Sequence, residues 1–375
     1  MLRKNNNIWA SLALGSYLLS NLAHSYKNLN LIYLEFSQIG EIINTINNYN
    51  TFLVTTHTNP DGDAIGSSLA LYHYLRDAGK DVRVVVPNLY PEFLAWMPGN
   101  DNILVFERDG KKVKQALEGV EVVFCLDYNA ISRSGSMKTV LAEIDAVKIL
   151  VDHHPQPEAD DFDILYSITE TSSTSELLYG CMTACDPDYN ISQDVATCLY
   201  VGIMTDTGSF SFACDRPETF RVTAELLATG ISSEWIHRKV YDTFSEDRLR
   251  LLGFSLSEKL TVLPEFATAY IALSAKDLKR FNYQVGDTEG VVNYALSIKG
   301  IALAVLLTER KGRIRLSFRS RGNFNANLLA RGHFSGGGHR NAAGGDSYES
   351  LESTIKKLHA ILPEYKEQLL AEADK

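Results

Sequence analysis

The apolar run Val147-Lys148-Ile149-Leu150-Val151 stops abruptly at Asp152-His153-His154. A β-branched run of this kind suits a strand buried on both faces of a parallel sheet. The polar residues at its carboxyl end then stand on the edge where open α/β sheets bind ligands. Aspartate and histidine are also side chains that hold divalent transition metals. One such tripeptide is a weak signal, because a His-His pair is as often surface as ligand.

Three further segments end the same way. Thr51-Phe52-Leu53-Val54-Thr55-Thr56 reads as a buried strand running into His57-Thr58-Asn59-Pro60-Asp61-Gly62-Asp63-Ala64-Ile65-Gly66. Pro60 sets a bend there, and Gly62 allows a backbone conformation that other residues resist, so that His57, Asp61 and Asp63 can face one point. A helix over 64–77 follows, stopped by Gly79. Asp127 comes directly after the apolar strand Val122-Val123-Phe124-Cys125-Leu126, and Asp206 ends a helix over 193–205 at the break Thr207-Gly208. A lone aspartate at a strand end is usually a turn residue or a cap. Four separate ends with matching chemistry point to a metal site, and the absence of thiolate favours Mn²⁺ or a similar ion over structural zinc.

These motifs resemble the DHH phosphoesterase superfamily. Within it they resemble the two-domain nanoRNase and pAp-phosphatase group (pAp is 3′-phosphoadenosine 5′-phosphate), a group also called exopolyphosphatase-related. The likeness covers residue 38 to the carboxyl terminus. His57 through Gly66 fits the first motif without a gap, and Asp127, Asp152-His153-His154-Pro155 and Thr205-Asp206-Thr207-Gly208 fit the next three. The later marker is the loop Gly336-Gly337-Gly338-His339-Arg340-Asn341-Ala342-Ala343-Gly344, where Ser335 occupies a place in which a further glycine is common.

The resemblance implies two divalent ions, Mn²⁺ by preference, about 3.5–4 Å apart as in two-metal hydrolases generally. His57, Asp61 and Asp127 would hold one, Asp63, Asp127, His153 and Asp206 the other, with Asp127 as the bridge. A hydroxide bridging the ions would attack phosphorus in line. Asp152 would orient a histidine, and His154 would contact the phosphate or protonate the leaving group. Arg319, Gly336, Gly337, Gly338 and His339 would bind substrate phosphate. The implied activity is hydrolysis of short RNA to mononucleotides, of pAp to AMP, or of both. The rival readings are a soluble cyclic di-AMP or pApA phosphodiesterase and, from another class, a non-catalytic nucleotide sensor. The complete ligand set argues against the sensor, and the Gly-Gly-Gly-His loop argues against a family-II pyrophosphatase.

At 375 residues the chain suits two domains. Strand-like and helix-like segments alternate up to about residue 230, with strands centred on Leu53, Val84, Leu104, Val123 and Ile149 and helices including 111–117. That alternation predicts an α/β domain whose mostly parallel sheet is flanked by helices. Residues 170–175 precede a helix over 176–182, where their hydroxyls and amides could meet a phosphate or merely cap. A helix-turn-helix over 232–260 follows, with Ser245-Glu246-Asp247 opening its second part. Beyond Pro264 the pattern becomes a smaller α+β unit. Its strands span 267–273, 301–308 and 313–318, its helices 289–297 and 325–329, and a long surface helix covers 350–373. The expected division is therefore an amino-terminal extension (1–37), a metal-binding domain (38–230), a helical linker (231–262) and a substrate-binding domain (263–375), with a cleft between the two domains.

The formal charge of −10 argues against binding long duplex DNA, which needs an extended basic surface, though not against a local pocket for a small nucleotide. From Arg310 to Gly345 there is no Asp or Glu, and Arg313, Arg315 and Arg319 alternate with Ile314, Leu316 and Phe318. The arginines should thus line one side of a strand beside the Gly-rich loop, an arrangement suited to phosphate. Five scattered cysteines match no zinc or redox spacing, which points to reduced core thiols in a cytoplasmic protein. No stretch has the length of a membrane span. The run from Ile8 to Leu22, preceded by Arg3 and Lys4 and interrupted by serines, reads as an over-extended start or a loose helix in preference to an export signal. A homodimer is left open.

Overall fold

In the computed structural model, which describes the backbone of residues 29–373 and side chains from residue 37, the β-branched runs form one sheet. Its strands are β1 (Thr51–Thr56), β2 (Asp81–Val86), β3 (Ile103–Val105), β4 (Val122–Leu126), β5 (Val147–Asp152) and β6 (Ile164–Ser167). All pair in parallel, in the order β3-β2-β1-β4-β5-β6. The central strands are buried on both faces, which is why β4 has no polar residue. The helices are α1 (Leu29–Asn48), α2 (Gly62–Asp77), α3 (Gly110–Leu117), α4 (Lys138–Glu143), α5 (Thr174–Cys185), α6 (Gln193–Asp206) and α7 (Pro217–Ala228). Leu53, Val85, Val123, Cys125 and Leu150 pack on α3 and α4. The opposite face carries α2 and α5, and α6 packs against both of these helices.

Strand order reverses between β1 and β4, and such a switch point is where open α/β sheets generally bind ligands. Register completes the placement. Thr56 pairs with Leu126 and Leu126 with Val151, so His57, Asp127 and Asp152 each follow the same row of the sheet.

The chain divides into two compact units, the first ending at Ile236 within α8 (Ser233–Tyr241), except that Tyr90–Phe93 belongs with the second. The second unit contains α9 (Glu246–Glu258), β7 (Leu260–Leu263), β8 (Thr268–Leu273), α10 (Ala275–Arg280), α11 (Val291–Leu296), β9 (Leu303–Arg310), β10 (Arg313–Ser320), α12 (Ala326–His333), β11 (Gly337–Gly338), β12 (Ala342–Ser347) and α13 (Leu351–Ala373). Its sheet runs β11-β12-β10-β9-β8-β7, antiparallel except for the β8–β9 pair. One face packs on α12 and α13, the other on α9 to α11. Leu251 of α9 is fully buried in that second core.

The departures from expectation have local causes. β12 is Ala-Ala-Gly-Gly-Asp-Ser, which has almost no intrinsic strand preference and is a strand because β10 supplies its ladder. The helix at 350–373, expected on the surface, buries Leu358, Ile361, Leu362 and Leu369. β6, β7 and α10 are too short for a periodicity to mark them, whereas α1 shows the helical spacing Ile39, Ile42, Ile43 and Ile46 and was passed over. The run from Ile8 to Leu22 lies outside the described residues. Among the described residues no helix is long and apolar enough to cross a membrane. All five cysteines are free, four of them buried, in keeping with packing roles.

Candidate metal centre and phosphate-binding face

The turn after β1 is built differently from its sequence reading. Its left-handed residue is Asn59 (φ 58°), not Gly62, and Gly62 is already the first residue of α2. Gly62 is needed for space, since a Cβ there would collide with the Thr205 side chain. A Cβ on Gly66 would meet the Cys198 carbonyl oxygen, and one on Gly202 would meet Ser175 and Asp63. These glycines let α2 and α6 approach closely enough to bring Asp63 and Asp206 together. Asp61 caps α2, its Oδ1 accepting from the amides of Asp63 and Ala64 at 3.1 Å each, while its Oδ2 lies 4.0 Å from His57 Nε2.

Asp127 is the centre of the arrangement. Its Oδ2 lies 3.3 Å from His57 Nε2 and its Oδ1 lies 3.5 Å from His153 Nε2, so its two oxygens face different imidazoles. His153 Nε2 is also 3.4 Å from Asp206 Oδ2 and 3.9 Å from Asp63 Oδ2. Two sets of donors converge, His57 with Asp61 and Asp127, and Asp63 with His153 and Asp206, the atoms of each set lying within 4.8 Å of one another. Asp127 itself is left-handed (φ 64°), a conformation that aspartate tolerates better than most residues and that aims its side chain off the strand.

In the segment 170–175 the amides of Ser172, Thr174 and Ser175 are taken by carboxylates of the protein itself. The first turn of α5 grips Asp63, with Thr174 N donating to Oδ2 at 2.7 Å and Ser175 N to Oδ1 at 2.9 Å. Thr174 Oγ1 donates to Asp127 Oδ1 at 3.0 Å. Ser173 is the cap, and buried Glu176 ties the segment down by accepting from Ser172 and Thr219. A helix N-terminus favours an anion, and here the protein supplies that anion itself.

Asp152 is fully buried, and its Oδ1 lies 2.7 Å from His154 Nδ1, so the histidine it orients is His154. Asn129 Nδ2 donates to the carbonyl of Pro155 at 2.7 Å and fixes the chain just beyond the tripeptide. Asn59 and Asn88 bond reciprocally at 2.7 and 3.1 Å and hold the first turn. Asn88 and Asn129 escaped the sequence reading because neither has a metal-type side chain, and Thr174 was marked there only as a phosphate contact or a cap. A hydroxyl or amide just past a strand or at a helix start was their only signal.

Electrostatics follow from crowding carboxylates out of water. Asp63 is driven well above its ordinary pKa by burial and by the charges of Asp127 and Asp206. Asp127 is held well below its ordinary value, because hydrogen bonds from His153 and His57 outweigh the burial that would raise it. Burial works against a charge on His153, but Asp127, Asp206 and Asp63 together push its pKa up to about 10. His57 is likewise raised, with burial opposing and Asp127 and Asp61 prevailing against a smaller contrary effect of Arg133. Burial lifts Asp152 to about 7. Oxygen and imidazole donors that repel or trade protons when left to themselves are a set whose chemistry fits divalent cations.

In the second unit the alternation of β10 is as expected, Ile314, Leu316 and Phe318 buried and Arg313, Arg315 and Arg319 half-buried on the other side. The acid-free stretch ends one residue before Asp346, however. Asp346 pairs across the ladder with Arg315, its Oδ2 lying 3.2 Å from Arg313 and 3.5 Å from Arg315. Arg310 bonds to the Tyr283 hydroxyl and Arg340 to the Asn323 carbonyl. The row is thus largely committed internally, while Arg319 Nη1 donates to the carbonyl of its neighbour Phe318. In the loop, Gly336 and Gly338 (φ 134°) lie against the carbonyl oxygens of Gly344 and Ala342, and the His339 amide is bonded to Ala342 O at 2.8 Å. Ser335 has φ 36°, the left-handed conformation that a glycine would take without strain.

The chain matches the DHH family, N-terminal domain, over residues 51–203 and the DHHA1 domain over residues 265–367. It is 30% identical over 293 residues to the bifunctional oligoribonuclease and PAP phosphatase NrnA of Thermus thermophilus, spanning 78% of this chain and 82% of that relative. The chain belongs to the DHH family. It is a phosphoester hydrolase of α/β architecture with a DHHA1 domain. The NrnA of Bacillus subtilis is 26% identical over 328 residues, 87% of this chain and 99% of the relative. Among solved structures, an exopolyphosphatase-related protein from Bacteroides fragilis is 40% identical with a TM-score of 0.83, over 88% of this chain and 97% of that one.

Proposed function

We propose that this DHH protein hydrolyses short RNA oligonucleotides to mononucleotides and pAp to AMP, using two divalent ions, Mn²⁺ by preference. The observation that carries the reading is Asp127, whose two oxygens face His57 and His153 and so join two donor sets at the switch point of the sheet. The substrates are those in the names of the B. subtilis and T. thermophilus relatives.

His57, Asp61 and Asp127 would hold one ion, and Asp63, Asp127, His153 and Asp206 the other. When bound, such ions activate water and polarise phosphoryl oxygens. The chain's own groups do the rest. Asp63 is pre-oriented by the amides of Thr174 and Ser175, so little reorganisation accompanies ion binding. Asp152 holds His154 by Nδ1 and so fixes the ring, and His154 would pass a proton to the departing oxygen. Arg319 and His339, with the amides of Gly336, Gly337 and Gly338, would bind a substrate phosphate from the DHHA1 domain.

The test is a panel of pAp, pApA, cyclic di-AMP, RNAs from two to about two dozen nucleotides and polyphosphate, each assayed with Mn²⁺ and Mg²⁺. Turnover of pAp and of the shortest RNAs, lost in Asp127→Asn, supports the proposal. Preference for cyclic di-AMP or for long RNA would overturn the substrate assignment, and full activity of Asp127→Asn would overturn the centre.

A further inference from the structure

The loop that follows β4 carries a cation that the sequence reading passed over. Arg133 is fixed by its backbone to the first metal-type turn, its carbonyl accepting from Thr58 N at 2.8 Å, one residue after His57. Its amide donates to Ala130 O at 3.0 Å, and the buried Ser134 hydroxyl donates to Ile131 O at 2.6 Å. Gly135, left-handed at φ 57°, closes the loop onto Thr58, and a Cβ there would collide with Thr58 Oγ1. The loop therefore has little freedom, and Arg133 is held one backbone hydrogen bond from the turn that carries His57.

Arg133 is half-buried, yet its guanidinium makes no hydrogen bond or ion pair among the described residues. Carboxylates are abundant on this edge of the sheet, Asp61, Asp127 and Asp152 among them, and it pairs with none. Its charge is nonetheless felt on both flanks of Asp127, by His57 and by Asp152. A half-withdrawn guanidinium normally recovers its lost hydration from a carboxylate. One held close to acids without engaging them is placed to receive an anion from outside.

We propose that Arg133 is a catalytic residue whose guanidinium grips the non-bridging oxygens of the phosphoryl group being transferred at the Asp127 cluster. The proposal rests on that cluster being the reaction centre. In the hydrolysis an oxygen of water bonds to phosphorus as the ester P–O bond breaks, and the departing oxygen takes up a proton. Negative charge stays on the non-bridging oxygens throughout. Arginine remains protonated at every stage, so it serves by charge and by its planar fork of donors. Because every substrate presents the reacting phosphoryl group, the effect of Arg133 should not depend on substrate length or on a second phosphate.

The experiment uses the full chain with Mn²⁺ and the variants Arg133→Ala and Arg133→Lys. Arg133→Ala should lower kcat/KM for pAp and for an RNA dinucleotide alike, by about 10- to 100-fold. Arg133→Lys should fall between it and the wild type. Added guanidinium chloride should restore part of the alanine variant's activity and none to the wild type, and metal content should not change. Inorganic phosphate, titrated calorimetrically, should bind the alanine variant at least about 10-fold more weakly. Unchanged phosphate affinity would overturn the proposal, as would a loss of activity that tracks loss of metal and resists guanidinium. A wild-type protein inactive on both substrates would sink the substrate assignment above, and the phosphate titration would still decide Arg133.

Discussion

The hydroxyl of Thr174 donates to Oδ1 of Asp127 at 3.0 Å, and that same oxygen lies 3.5 Å from His153 Nε2. A residue at the start of α5 thus sets the rotation of a carboxylate at the end of β4, and with it the direction of Oδ2 toward His57. Thr174→Val keeps the shape and removes the donor. It should weaken Mn²⁺ affinity or kcat by about 10- to 100-fold, the usual effect of losing a partner of a ligand. Calorimetric Mn²⁺ titration with a parallel rate measurement checks this, and unchanged values for both would show that Asp127 is oriented without Thr174.

Both oxygens of Asp63 accept from backbone amides, those of Thr174 and Ser175. Asparagine has one acceptor oxygen and would turn an NH₂ group toward a buried donor. Asp63→Asn should therefore destabilise the protein by about 1–3 kcal/mol even in EDTA, although it removes a charge from a repulsive cluster. Asp206→Asn, whose side chain is 26% exposed, should cost much less. Thermal unfolding of both variants in EDTA tests the contrast, and equal midpoints would contradict it.

Imidazole in both donor sets predicts a metal preference. EDTA should abolish turnover, and Mn²⁺ should restore more activity than Mg²⁺, which favours all-oxygen shells and keeps its waters. Full recovery in Mg²⁺ with no gain from Mn²⁺ would count against His57 and His153 as ligands.

Ser335 keeps a left-handed backbone at φ 36°, a conformation that glycine adopts without strain. Left-handed strain of about 1–2 kcal/mol per residue should outweigh the extra unfolded-state entropy of glycine. Ser335→Gly is expected to stabilise the second unit by roughly 0.5–1 kcal/mol. A small rise in its unfolding midpoint, with phosphate binding unchanged, is the expected result. A fall would mean that the serine hydroxyl makes a compensating bond.

Arg319→Ala should raise KM or lower kcat by about 10- to 100-fold in kcat/KM while leaving metal content at the wild-type level. Metal loss in this variant, or unchanged kcat/KM, would remove Arg319 from the substrate-binding set.

Much of the centre was legible because its chemistry is concentrated at the ends of regular elements. Val147-Lys148-Ile149-Leu150-Val151 and Val122-Val123-Phe124-Cys125-Leu126 announce strands buried on both faces, and a charged residue directly after such a run has nowhere to go but the sheet edge. His57, Asp127 and Asp152 stand at the ends of such runs, and Asp206 joins them as the acid that ends a helix at the break Thr207-Gly208. The alternation of β10 was equally plain, since a period of two separates Arg313, Arg315 and Arg319 from Ile314, Leu316 and Phe318.

Tertiary structure decided what depends on partners distant in the chain. Strand order put β1 beside β4, and register set His57, Asp127 and Asp152 on one row. Whether the amides at 174 and 175 meet a phosphate or a carboxylate depended on α2 delivering Asp63, 111 and 112 residues away in sequence, to the start of α5. Asp346 reached Arg313 and Arg315 through a ladder formed by β12, a segment too rich in glycine and alanine to declare itself. A strand's end is a local property of side-chain volume and branching. Which hydrogen-bond partner an amide, hydroxyl or guanidinium finds there is a property of the packed chain, because the groups that satisfy it are supplied by other elements.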